Sequence, residues 1–211
     1  MLRQAEIPGP YVLVGGSFGG YNVRLFAHEY PDQVAGLVLV DSAIDLFHKE
    51  IPDSIRQANE NIMRAAKLVR FLAPFGIGRI GASEQMKNLP AEERDIKLRT
   101  SNVITGCDEW QSYNTSTSQM KGWTLPPDIP LAVLSATGSP HPRAPAEDQL
   151  VAVNLQHKLH ALIAGQSNNS FHYIVDSGHN ITFDQPDVVI DSIRRVMESV
   201  RNHTKLTPPN Q

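Results

Sequence analysis

Val12-Leu13-Val14-Gly15-Gly16-Ser17-Phe18-Gly19-Gly20 joins a short aliphatic run to a G-x-S-x-G pattern, and residues of helical character follow at once. A strand, a sharp turn carrying a serine, and then a helix is the setting in which this pattern implies a raised nucleophile. The glycines answer a steric need, because the turn is tight and the helix must pass close to the strands; a Cβ at Gly15 or Gly19 is expected to crowd that approach. The turn lifts the Ser17 hydroxyl above the sheet edge, at a helix N-terminus. The backbone N–H of Phe18 is thereby positioned to face a developing negative charge.

A second motif lies far along the chain, at Phe171-His172-Tyr173-Ile174-Val175-Asp176-Ser177-Gly178-His179-Asn180. Aromatic and β-branched residues predict a short strand, and the glycine turn after it delivers a histidine. Pro186 to Val200 reads as a helix, with Val188, Val189, Ile193, Val196, Met197 and Val200 at helical spacing. Asp176 reads as a support for the turn before His179. A serine in the first motif and a histidine in the second are the residue types that nucleophilic acyl chemistry needs.

Together these residues resemble the α/β-hydrolase superfamily. The resemblance is close over Pro10 to Ser42 and resumes from Pro130 to Val200. It implies a mostly parallel sheet flanked by helices, a nucleophilic Ser17, a base at His179, half an oxyanion hole at the Phe18 N–H, and an acidic third member. In most of the family that acid follows the strand corresponding to Leu131–Ala136, but here the loop Gly138-Ser139-Pro140-His141-Pro142 holds no carboxylate. Asp41, at the C-terminal end of the strand Val34–Val40, is one candidate, at the sheet edge where sites sit in open α/β folds. Glu147 and Asp148 are others, although both suit a helix N-terminus by the dipole alone.

Length and composition fit that class. The 211 residues suit one domain, or one with an insertion, and 41% apolar residues can build a packed core. A formal net charge of −3 without a basic block argues against nucleic acid as a partner. No apolar run approaches membrane-spanning length and no signal peptide is legible, so a cytoplasmic location is expected. The single cysteine, Cys107, excludes an internal disulfide and reads as a free thiol in a helix. No metal or organic cofactor is implied, and His157 and His160, one turn apart, read as surface or half-buried polar residues. The elbow strand begins near residue 11, and Met1 to Ile7 reads as the tail of a helix leading into it. The chain is therefore expected to lack the N-terminal strands of the family, leaving a sheet edge that a homo-oligomer or other partner would cover.

Between the two motifs, residues 43–127 read as a helical insertion, the usual place for a lid that shapes a pocket. Its expected helices run from Ser54 to about Leu72, from Pro90 to Ile104, and from about Cys107 to Met120, with Phe71, Phe75, Trp110 and Trp123 as candidate pocket residues. The core is then 1–42 and 128–204, and 205–211 is expected to fray. The leading expectation is a serine hydrolase acting on an ester-like acyl bond of a small molecule. A non-catalytic, hydrolase-like binding protein or inactive fragment is the alternative, and an acyltransferase would use the same residues.

Overall fold

The computed structural model describes residues 4–44, 50–76, 90–120, 123–138 and 144–209. In chain order these form β1 (Tyr11–Gly16), α1 (Gly19–Glu29), β2 (Val34–Val40), α2 (Asp53–Leu72), α3 (Ala91–Lys97), α4 (Thr100–Gln119), β3 (Leu131–Ala136), α5 (Ala146–Ala164), β4 (Ser170–Val175), α6 (Ile181–Asp184) and α7 (Pro186–Asn202). The chain divides into two compact units, Asp53–Gln119 and the remainder.

The larger unit is built on a four-stranded sheet in the order β1-β2-β3-β4, parallel at every junction. The inner strands are largely apolar because both of their faces are covered: every residue from Leu37 to Val40 and from Leu131 to Leu134 is buried, and the one polar side chain on these strands, Ser135, is buried as well. Alternation sorts their side chains. Val38, Val40, Ala132, Leu134, Ala136, Phe171 and Val175 share one face with Val189 and Val196 of α7. The opposite face receives α5, and α1 lies on it beside β1, where a Cβ at Gly15 would come within 2.6 Å of Val23 Cγ2. β1 hydrogen-bonds to β2 alone among the described residues.

In the smaller unit, α2 and α4 pack together, with Arg70 and Asp108 paired across them. The expected boundary near residue 105 is absent. The helix break comes at Leu98–Arg99, and α4 runs through Gly106, whose missing side chain lies in open space. One interior glycine weakens a helix by about 1 kcal/mol and does not end it. Cys107 is a buried free thiol on α4.

Two expectations at the chain ends are corrected. Residues 4–6 form a turn rather than the tail of a helix. Leu206, expected to fray, is buried in the α7 face of the core, and its N–H donates to Asn169 Oδ1 at 2.7 Å. The expected loop residues 139–143, His48 within 45–49, and residues 210–211 lie outside the described residues.

Candidate active site

Ser17 follows directly on β1, at the level of the strand end of β2, and its N–H donates to Val40 O at 3.1 Å. Its φ of 48° lies in the left-handed region, which costs a non-glycine residue about 1–3 kcal/mol and must be held by its surroundings. The holding contacts are backbone ones: Ser17 O accepts from Gly20 N at 3.0 Å and from Ala43 N at 2.8 Å. The hydroxyl stands on an exposed residue. Gly15 has the crowding expected of it, but Gly19 does not, since nothing lies within 4 Å of the place its Cβ would occupy. The close approach is made one residue later. A Cβ at Gly20 would fall on the side chain of Ser42, the second residue past the β2 strand end.

Asp41, the first residue past β2, also has a positive φ, 42°. Its side chain has no exposed surface, and its N–H donates to Leu134 O at 2.8 Å. A buried carboxylate needs donors. Oδ1 accepts from the Ala136 N–H at 3.0 Å and from Gln156 Nε2 of α5 at 2.7 Å, while Oδ2 lies 2.6 Å from His179 Nδ1. A carboxylate opposite Nδ1 makes that nitrogen the N–H donor, which leaves the Nε2 lone pair facing outward. Nε2 lies 3.0 Å from Ser17 Oγ.

The loop carrying His179 is pinned from both sides. Thr137 Oγ1, past β3, donates to Asp176 Oδ1 at 3.1 Å, and Gly138 N donates to Ser177 O at 2.9 Å. Asp184, the last residue of α6, accepts from Gly178 N at 3.1 Å and from Ser177 Oγ at 3.2 Å. Ser17, Asp41 and His179 thus converge from three different strand ends onto one edge of the sheet. Glu147 and Asp148 fall in the first turn of α5, and the carboxylate within hydrogen-bonding distance of His179 is that of Asp41.

A second serine–histidine cluster lies beneath. Ser135 Oγ is 2.6 Å from His160 Nδ1 and 2.7 Å from His172 Nε2, and His160 Nε2 is 2.9 Å from Ser42 O. A carbonyl only accepts, so His160 carries its proton on Nε2 and its Nδ1 takes the Ser135 O–H; Ser135 Oγ then accepts from His172 Nε2–H. Each of these three contacts has one donor and one acceptor with both rings neutral. Burial lowers His160, and His172 is pushed down to about 4, first by burial and then by its histidine neighbours. Ser135 has no exposed surface, so no substrate carbonyl reaches it. His160, expected to be a surface or half-buried residue, is fully buried. Neither it nor Gln156 was singled out from sequence as part of a site. The available signal was two polar residues at i and i+4 on the otherwise apolar face of a helix. Trp123, one of the four candidate pocket aromatics, stacks on His28 with ring centroids 4.8 Å apart.

A family model described as the alpha/beta hydrolase fold matches residues 1–186. An uncharacterized protein of Schizosaccharomyces pombe is 29% identical over 146 residues, which cover 64% of this chain and 25% of that protein. A probable transporter of Hormonema carpetanum is 24% identical over 94% of this chain and 31% of its own length. The chain therefore spans about a quarter to a third of these curated relatives. Among solved structures, an esterase from Thermogutta terrifontis aligns at a TM-score of 0.53 and 24% identity, covering 94% of this chain and 68% of that one. Cfl2 from Burkholderia cenocepacia aligns at 0.61 and 18%, covering 92% and 67%. These two share the fold. With the family model matched along residues 1–186 and a parallel sheet flanked by helices beneath the site, the chain belongs to the alpha/beta hydrolase fold family.

Proposed function

We propose that this chain is a serine hydrolase that cleaves an ester-like acyl bond of a small molecule through an acyl-enzyme. The observation that supports this reading is the continuous line from Ser17 Oγ to His179 Nε2, 3.0 Å, and from His179 Nδ1 to Asp41 Oδ2, 2.6 Å. Ser17 Oγ attacks the substrate carbonyl as its proton passes to His179 Nε2. Asp41 holds the imidazole in the tautomer with Nδ1–H and steadies the imidazolium. The carbonyl oxygen takes on negative charge near the N-terminus of α1, where the Phe18 N–H is one donor. His179 then gives its proton to the leaving alcohol as the C–O bond breaks, leaving the acyl group on Ser17. Water adds to that ester with His179 again as base, releasing the acid and restoring the serine.

The test is covalent labelling of the chain by a fluorophosphonate probe, with intact mass to count adducts. One adduct is expected on the native chain and none on Ser17→Ala. Undiminished labelling of Ser17→Ala would remove the serine from this role. Turnover of p-nitrophenyl acetate is expected to fall to background in His179→Ala. Equal turnover by the native chain and that variant would favour a non-catalytic, hydrolase-like binding protein.

A further inference from the structure

Gln156 has no part in the chemistry just described, yet it sits at its base. Only 6% of it is exposed, on a face of α5 whose other buried members are apolar apart from His160. A buried amide is costly unless it is hydrogen-bonded, so its presence there asks for a reason. Its Nε2–H donates to Asp41 Oδ1, the oxygen that also receives the Ala136 N–H. One turn further along α5, His160 Nε2–H donates to Ser42 O. The same helical face therefore grips both residues of the Asp41–Ser42 step.

The torsion that turns a carboxylate about its own axis is broad and close to two-fold, so the two oxygens exchange easily unless something distinguishes them. The Ala136 N–H alone would act as a pivot. A second donor from a different direction, supplied by Gln156, fixes the plane of the group and leaves Oδ2 as the oxygen available to His179. We propose that Gln156 is a positioning residue: its amide holds Asp41 in the one orientation that presents Oδ2 to His179 Nδ1–H. This rests on the serine hydrolase reading above.

The test uses the full chain with Gln156→Met, which keeps the volume and removes the donor, and Gln156→Asn, which keeps the amide one methylene short of reach. Two readouts are taken, the strongly downfield proton resonance of a histidine N–H bonded to a carboxylate, and steady-state kinetics with p-nitrophenyl acetate. The native chain is expected to show the resonance, and His179→Ala to lose it. Both Gln156 variants are expected to keep the native circular dichroism and to shift or broaden the resonance. Their kcat is expected to fall about 10-fold with KM changed by less than about twofold, the mark of lost alignment rather than lost binding. If Gln156→Met fails to fold, Gln156→Asn carries the comparison. An unaltered resonance and kcat in the folded variants would overturn the role of Gln156 while leaving the reading of the site intact. A native chain with no resonance that depends on His179 would end both.

Discussion

Two residues in the site, Ser17 and Asp41, take left-handed backbone conformations that neither side chain favours, with φ of 48° and 42°. Each closes a parallel strand at the same level, and each needs its side chain turned out of the pleat toward a neighbouring strand end. Local strain of this kind persists only where the surroundings over-determine it. Replacing Asp41 with Asn keeps the shape but offers the histidine a different partner. We expect kcat to fall about 10⁴-fold while the fold is kept, measured by ester turnover beside circular dichroism. The adjacent glycines give a sharper steric contrast. Gly20→Ala drives a methyl into Ser42 and should destabilise the chain by about 1–3 kcal/mol. Gly19→Ala meets open space and should be neutral or stabilising by about 0.5 kcal/mol. Urea midpoints of the two variants, displaced in the same direction by similar amounts, would refute that distinction.

At the scale of elements, what could be read from sequence was local and what could not was remote. The β1–turn–α1 passage is written in adjacent residues, and the strand β2 declares itself as a near-continuous apolar run because both its faces are covered. The choice of acid could not be made the same way. Asp41, Glu147 and Asp148 are all carboxylates beside element ends, and the order of strands alone would favour the pair that follows β3, the neighbour of β4; only the placement of side chains at the sheet edge brings Asp41 to His179. Gln156 was illegible for the same reason: its partner is 115 residues away. The His179 loop is a second case. Its support comes from Asp184 at the far end of the short helix α6 and from Thr137 past β3. Asp184→Ala removes the acceptor of the Gly178 N–H. We expect faster hydrogen exchange at Gly178 and a kcat lower by about 10-fold, with little change in thermal stability. Unchanged exchange at that amide would show that the loop is held by other means.

For the whole molecule, the buried histidines tie stability to pH. His160 and His172 are neutral when folded, with protonation pushed below its ordinary value, to about 4 for His172. In the unfolded chain both take up a proton near about pH 6.5. Above that value neither state binds the proton and stability is flat. As pH falls from about 6.5 toward about 4, the unfolded chain binds protons that the folded chain refuses, so stability drops. Melting temperatures taken across that window should decline on acidification, and His160→Gln should show a shallower decline even if its melting point at neutral pH is lower. A native melting temperature independent of pH over that interval would contradict the neutral Ser135-centred network. Among the described residues no helix is long and apolar enough to cross a membrane.

The line from Ser17 through His179 to Asp41 runs across the strands, and its members hang from β1, β4 and β2 in turn. A slip of one pair in any of the three ladders would displace one member by about 3.3 Å and turn alternate side chains to the wrong face. Contacts of 2.6 and 3.0 Å do not survive such an offset. This line of contacts therefore acts as a vernier for the sheet: it closes in a single alignment of the four strands, and on the proposed hydrolase reading a misassembled chain would betray itself by a silent serine before any loss of helix or strand could be seen.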